Sequence, residues 1–382
     1  MNKGLTSFRA LAFFSIFLLH LKSVGSGHLG IDAGYLGVLA FFVLSGFLLT
    51  PIIVDMKSNL SRKDFFIHFY GRRALRIFPL YFSYIIIVTF VYFLAASRYG
   101  QSQPTYNGML LIIELDKFIK QLPYTITYTY DFYAASIYAE LSYFATHFWS
   151  LAVEEQFYLV WPLAIYYFPS NQLKKFLLVV ILAAPLIRCL LAIIIDTHML
   201  PLWGNIHMGI WYLPFSHVDA FAIGGYFALY GKSRSGYLVG GVVFLVILLG
   251  MITSWLSTGE IHWDQLGYGF RMDDSYKYVW GYSVLNLTFA LALVHIRDKA
   301  LMPAFFENPL LVYLGKISYG LYVYHFPVLW LIYLHMRDYS EIARSLTALL
   351  VTIIISMFSY EYVERRFINS KDKYFARVSA SK

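Results

Sequence analysis

The apolar residues of this chain come in blocks of about 20, the helix length that crosses a hydrocarbon layer of about 30 Å, and each block is closed by a short polar or charged stretch. The blocks predict about ten spans, near residues 5–22, 34–54, 79–96, 148–168, 176–195, 210–230, 237–256, 278–296, 309–334 and 345–363. Strict alternation over short segments, the mark of a transmembrane β-barrel, is absent. The fold class that follows is all-α, a polytopic transmembrane helical bundle. Lysine and arginine crowd alternate connections: Lys57, Arg62, Lys63, Arg72, Arg73 and Arg76; Lys174 and Lys175; Lys232 and Arg234; Arg297 and Lys299; and the tail from Arg365 to Lys382. Cytoplasmic segments carry this excess, so both termini are expected in the cytoplasm and the span number even. The longest connection, 97–147, then lies outside. Its low charge and its tyrosines (Tyr106, Tyr124, Tyr128, Tyr130, Tyr133, Tyr138 and Tyr143) argue against disorder. It is expected to pack over the outer mouth of the bundle, partly as a re-entrant or interfacial helix.

Composition agrees. Of 382 residues 59% are hydrophobic and 14% charged, where soluble domains carry about 25% charged residues. The net charge of +8 is explained by topology, so no nucleic-acid partner is expected. The single cysteine, Cys189, excludes an intramolecular disulfide and a cysteine-rich metal site. The apolar segment at residues 5–21 has the length of a signal-peptide core but no convincing small-residue cleavage site after it, so it is expected to be retained. Aromatic residues reach 19%, enough for interfacial belts and packing first, and for a sugar-binding surface second.

Ionisable side chains inside such spans are costly and mark function by default. Arg9 and His20 share the first span. Eleven steps of about 100° return to within roughly 20° of the starting direction, so both lie on one face, about 16 Å apart along the axis. Glu154 and Glu155 stand in span 4, about 100° apart, above a kink expected at Pro162. Arg188, Asp219 and His325 lie in spans 5, 6 and 9. A general base steadied by a carboxylate, with Glu154 answering His20, is one reading; buried ionic contacts that fix helix registry are the other. Arg72, Arg73 and Arg76, just before span 3, suit either a polyphosphate such as the nucleotide end of coenzyme A or anionic lipid. Ser45-Gly46 suits close packing, with a nucleophilic serine as the rival. His147, at the mouth of span 4, reads as interfacial. No metal is expected: His198 and His207 in one loop, and the His217-Val-Asp219 pair, lack a zinc spacing.

These residues fall into a known order. Arg9 with ten residues to His20, Phe41-Phe42-Val-Leu-Ser45-Gly46-Phe47, Arg72-Arg73-Ala-Leu-Arg76-Ile-Phe-Pro79, Trp149-Ser150-Leu-Ala-Val-Glu154-Glu155-Gln-Phe157-Tyr158-Leu, His217-Val-Asp219 before Gly224, and Ile317-Ser318-Tyr319-Gly-Leu-Tyr322-Val-Tyr-His325 together resemble acyltransferase family 3, over roughly 5–366. The resemblance implies a transmembrane acyltransferase domain at 1–366 followed by a basic cytoplasmic tail at 367–382, in the cytoplasmic (inner) membrane. It implies transfer of an acyl group, usually acetyl, from cytoplasmic acyl-coenzyme A to a hydroxyl of a glycan or lipid-linked sugar such as O-antigen or capsule. It makes His20 and Arg9 essential and gives the arginine motif to the donor. Two departures stand out: Glu364-Arg365-Arg366 replaces a Glu-x-Pro pattern, read as a changed cytoplasmic end, and His217 stands where arginine is common. No esterase-like second domain is expected, so transfer is direct or is completed by another protein.

The mechanism expected on that basis has His20, Arg9 and Glu154 as the catalytic set and Arg72, Arg73 and Arg76 on the phosphates. The pantetheine arm passes Arg9 toward His20, and Ser45, Glu155, Tyr158, Asp219 and His325 line the substrate site, Ser45 or Tyr158 steadying the oxyanion. Attack on the thioester is direct, or proceeds through an acyl-histidine. The rivals are an exporter of a lipid-linked glycan, weakened by the lack of an internal repeat, a structural subunit of a glycan-assembly complex, and an acyltransferase acting on a small molecule.

Overall fold

A computed structural model of the protein describes residues 2–25, 32–99, 105–202, 206–233, 236–261, 263–268, 275–298 and 302–375. Arg234, Lys299 and the end of the basic tail lie outside the described residues. Among the described residues the chain is helical, without strands apart from one isolated bridge, Ser136 to Leu202. In chain order the helices are α1 (Lys3–Ser23), α2 (Leu36–Asn59), α3 (Arg62–Tyr99), α4 (Tyr106–Lys120), α5 (Leu122–Ile126), α6 (Tyr130–Ala135), α7 (Phe148–Tyr167), α8 (Leu173–Asp196) and α9 (Ile206–Tyr212). They continue with α10 (Val218–Tyr230), α11 (Gly236–Thr258), α12 (Tyr282–Arg297), α13 (Pro303–Phe306), α14 (Pro309–Lys316), α15 (Ser318–His335), α16 (Glu341–Ser359) and α17 (Arg365–Tyr374). Two compact units result. The first comprises Met1–Asp55, Ala135–Ile137 and Ala164–Ser318; the second comprises Met56–Ala134, Tyr138–Leu163 and Tyr319–Lys382.

Among the described residues, seven helical stretches are long and apolar enough to cross a membrane: Lys3–Ser23, Leu36–Asn59, Arg62–Arg98, Ser170–Asp196, Gly236–Thr258, Lys277–Arg297 and Glu341–Lys371. The broken pair α14 and α15 makes an eighth if it counts as one span. Three of the expected spans therefore differ in form. At 148–168 the helix is present as α7, but Glu154, Glu155 and Gln156 in its middle lower its hydropathy. At 210–230 the chain breaks into α9, a 3₁₀ turn at Pro214–His217 and the 13-residue α10. Pro214 has no amide hydrogen to continue α9, and it biases the residue before it away from the helical region. At 309–334 the break falls at Ile317, between α14 and α15. The arginine motif does not merely precede span 3: it is part of the 38-residue α3, which runs through Pro79.

In the first unit, glycines bring helix backbones together. A Cβ on Gly315 would stand 1.8 Å from the Thr6 carbonyl oxygen of α1, and one on Gly37 would stand 2.3 Å from that of Ala12. Helices α2 and α10 meet the same way, Gly46 against the Phe221 carbonyl and Gly224 against that of Val43, each at 2.1 Å. Small residues allow this approach where hydrocarbon gives no hydrophobic drive to pack. Gly46 thus serves the close contact expected of the Ser45-Gly46 pair.

In the second unit, the described part of the long connection carries α4, α5 and most of α6. Glu114 of α4 binds Lys117 Nζ at 2.7 Å and accepts the Tyr143 amide at 3.0 Å, while the Ser142 hydroxyl donates to its carbonyl at 2.8 Å. Tyr130 donates to the Gln121 side chain at 2.7 Å, and Tyr84 of α3 donates to the Phe144 carbonyl at 2.6 Å. Within this connection Asp131 of α6 is fully buried and accepts from Gln156 Nε2 of α7 at 2.9 Å. Burial pushes its carboxyl up to about 7, against the hydrogen bonds from Gln156 and from the backbone. The folded state thus holds a proton that the unfolded state, with an ordinary value of 3.8, has released. Stability from this group is complete below about pH 4 and is lost as the pH rises through about 7. The Asp131→Asn variant, which mimics the protonated form, should gain on the wild type in thermal midpoint as the pH rises over that interval. A gap that is flat or that closes with pH, in detergent-solubilised protein, would count against a protonated Asp131.

Candidate active site

Helix α1 is continuous from Lys3 to Ser23, so the helical geometry read from the sequence applies over the whole distance from Arg9 to His20. Phe13 and Ile16 lie on the same face between them, at successive offsets of about 40° and −20° from Arg9. Phe13 is 0% and Ile16 1% exposed, while Arg9 and His20 are half-buried. The face that carries the cation and the imidazole is therefore the face turned into the protein. Gly37 of α2 permits this, because any side chain there would meet Ile16. Ser15 fixes the same region by donating to the Gly34 carbonyl at 3.0 Å. Of the other sequence-predicted site residues, Ser45 is half-buried on α2, and Asp219 is buried on α10, both in the first unit.

Asp219 sits in a buried polar node. Arg188 of α8 reaches its Oδ2 at 3.1 Å, and both side chains are fully buried. Arg188 also donates to the Ser216 carbonyl at 2.7 Å and to Ser283 Oγ at 2.6 Å. Ser283 in turn donates to Asp219 Oδ2 at 2.5 Å, and Asn286 Nδ2 donates to Oδ1 at 3.3 Å. The Tyr282 ring lies 5.8 Å from the guanidinium. Removing one partner of such a buried pair costs on the order of 3–5 kcal/mol. The node ties α8, α10 and α12 together, and both oxygens of Asp219 are engaged in it. Beside it, His217 donates through Nε2 to the Trp211 carbonyl at 2.8 Å, with its ring stacked at 6.1 Å on Tyr282.

The second unit holds Arg72, Arg73, Arg76, Glu154, Glu155, Tyr158 and His325. Tyr158 donates to Glu154 Oε1 at 2.9 Å, one helical turn along α7. The Arg73 guanidinium lies 5.6 Å from the Tyr158 ring and 5.9 Å from that of Phe69, within electrostatic reach of both Glu154 and Glu155. One arginine of the motif is thus matched to the acidic pair. Its neighbours turn elsewhere. Arg72 donates to the Phe375 carbonyl, and the Phe375 ring fills the space beside Gly71. The charge of Arg76 acts on Glu364. Glu364 is 3% exposed, at the end of a π-helical turn, Tyr360–Glu364, and its Oε1 has no hydrogen-bond partner among the described residues. In the sequence Glu364 stands out only as part of a changed helix end. Only its burial reveals it as part of the arginine region, and π turns concentrate at functional sites.

His325 is fully buried, its Nδ1 2.6 Å from the Tyr322 carbonyl. Its ring faces that of His147 at 5.3 Å. His147 itself is 1% exposed and bonds the Val323 carbonyl through Nε2 at 3.0 Å, so it is a core residue and not an interfacial one. Tyr322 completes this cluster, donating to the His147 carbonyl at 2.9 Å and sharing a 2.5 Å hydrogen bond with Ser150. Among the described residues no group of three or more histidine, cysteine, aspartate or glutamate side chains is placed to hold a metal.

Comparison with known proteins converges on one family. The family model described as an acyltransferase domain matches residues 2–361. The O-acetyltransferase OatA of Staphylococcus aureus strain NCTC 8325 / PS 47 is 23% identical over 395 residues, covering 99% of this chain and 59% of the relative. OatA of S. aureus strain COL aligns with the same identity and coverage, 23% over 99% of this chain and 59% of its own length. The chain thus spans about three-fifths of the length of these curated relatives. No solved structure matches it. With one family model covering nearly the whole helical chain, the protein belongs to acyltransferase family 3.

Proposed function

We propose that this chain is a membrane O-acetyltransferase. It moves an acetyl group from cytoplasmic acetyl-coenzyme A to a hydroxyl of an extracytoplasmic glycan or lipid-linked sugar. Residues 1–366 form the transmembrane catalytic domain and 367–382 a basic tail, with both termini in the cytoplasm of a cell bounded by this inner membrane. Helix α7 and the broken α9–α10 and α14–α15 stretches bring the crossings to about ten. The observation that carries the reading is the inward face of α1, where Arg9 and His20 flank buried Phe13 and Ile16. A guanidinium and an imidazole about 16 Å apart on such a face suit a polar arm that threads into the membrane. The names of the S. aureus relatives support acetyl as the group and oxygen as its acceptor.

In this reading the arginines of α3 take the donor phosphates, guanidinium groups being suited to bidentate phosphate contacts. The acceptor hydroxyl gives its proton to His20 as its oxygen attacks the thioester carbonyl. The new C–O bond forms, the C–S bond breaks, and the coenzyme A thiolate leaves with the proton returned by the imidazolium. Glu154 is the carboxylate assigned to steady that imidazolium, and Arg9 guides the arm. Ser45, Glu155, Tyr158, Asp219 and His325 are assigned to substrate; for Asp219 the role is to shape the site, since its oxygens are engaged by Arg188, Ser283 and Asn286.

Three substitutions test these roles, with acetyl transfer followed by coenzyme A thiol release and product mass. His20→Ala should abolish transfer, a loss of at least about 100-fold given the usual worth of a general base, with membrane insertion intact; near-normal turnover would remove the base from α1. Arg76→Ala should raise the donor KM about tenfold or more, the effect of one lost charge-assisted contact of roughly 1.5–3 kcal/mol, and an unchanged donor dependence would detach the motif from the donor. Glu154→Gln should slow the chemical step more than Glu155→Gln; the reverse order would identify the other carboxylate.

A further inference from the structure

Tyr128 occupies a position that the backbone reserves for a different residue. Helix α5 ends in a Schellman turn: the Thr129 amide donates to the Tyr124 carbonyl at 3.0 Å and the Tyr128 amide to that of Thr125 at 3.2 Å. The residue between must be left-handed, and Tyr128 has φ of +52°. Glycine or asparagine takes this conformation without strain; a bulky aromatic does not. A strained residue persists where its surroundings hold it and its side chain is needed.

The surroundings hold it firmly. The Tyr128 carbonyl accepts from Gln156 Nε2 at 2.9 Å, and the same amide group donates to buried Asp131. Gln156 directly follows Glu155 on α7, so the turn is fastened to the helix that bears the acidic pair. The Tyr128 ring stacks on Tyr81 at 4.5 Å and 22°, and on Phe78 at 6.1 Å and 25°. Yet its hydroxyl oxygen, buried from solvent, has no hydrogen-bond partner among the described residues. Tyr81 and Tyr319 nearby donate to the carbonyls of Thr125 and Ile77 at 2.9 and 3.1 Å. Burial first, and Glu155 second, hold the Tyr128 phenol above its ordinary range, so it keeps a proton to donate.

We infer that Tyr128 is an acceptor-binding residue, its strained backbone and the Gln156 contact holding an unpaired phenol in place to hydrogen-bond a hydroxyl of the incoming glycan. The inference rests on the acetyltransferase reading above and adds to it the residue that selects the acceptor. A buried polar group left without its partner discriminates strongly between substrates that can and cannot supply one.

The test uses membranes containing the full chain, [14C]acetyl-coenzyme A as the probe, and their own envelope glycan as acceptor. Tyr128→Phe keeps the stacked ring and removes only the oxygen. It should cut label entering the glycan by about tenfold or more, with the donor KM within twofold of wild type and the thermal midpoint unchanged. Label within twofold of wild type overturns the inference alone. A donor KM that rises in step, or a midpoint that falls by several degrees, assigns the hydroxyl to the donor or to the fold and overturns it too. No label transfer by the wild type overturns the acetyltransferase reading and the inference together.

Discussion

An ionisable side chain in hydrocarbon is the constraint that arranges everything else in this protein. Such a group must turn inward and find company, because lipid offers it neither water nor charge. Arg188 meets the demand by closing a node with Asp219, Ser283 and the Ser216 carbonyl, which ties three helices of the first unit. Arg73 meets it with two aromatic rings and the charges of Glu154 and Glu155 in the second. Arg9 and His20 meet it by sharing the side of α1 whose intermediate residues are fully buried. The first arrangement holds helices in place, whereas the third sets a guanidinium and an imidazole on one inward face.

The close helix approaches serve that same face. Gly34, in the turn before α2, and Gly37 in α2 let that segment lie against α1, and Gly315 lets α14 do so from another side. Side chains at those three positions would push α1 outward and carry its polar face with it. The pairing of Gly46 with Phe221 and of Gly224 with Val43 then sets α10, and with it Asp219, against α2. Packing by small residues is what membrane helices use in place of a hydrophobic drive, and here it fixes where the polar residues point.

Much of this was legible in the sequence, because the signals were long or chemically expensive. The 21-residue α1 with its two polar positions, the arginines, the acidic pair and the uninterrupted apolar blocks all stand out against their neighbours. What escaped depended on local backbone geometry or on distant contacts. One proline divides the expected span at 210–230 into α9, a tight turn and α10, and apolar periodicity does not register it. Burial of His147 follows from the Val323 carbonyl, 176 residues away. Glu364 looked like an ordinary helix-end residue until the π-helical turn placed it in the core near Arg76. Tyr128 was one tyrosine among many, since a left-handed φ leaves no trace when the residue is not glycine.

The central claim is that the inward face of α1 receives the activated thioester. Photo-crosslinking tests it most directly, using a non-hydrolysable acetyl-coenzyme A thioether that carries a diazirine on the acyl end, with the labelled residues mapped by mass spectrometry in the purified full chain. The account predicts label on α1 between Arg9 and His20, displaced by excess acetyl-coenzyme A. Displaceable label confined to other helices, or label on α1 that acetyl-coenzyme A does not displace, would contradict it.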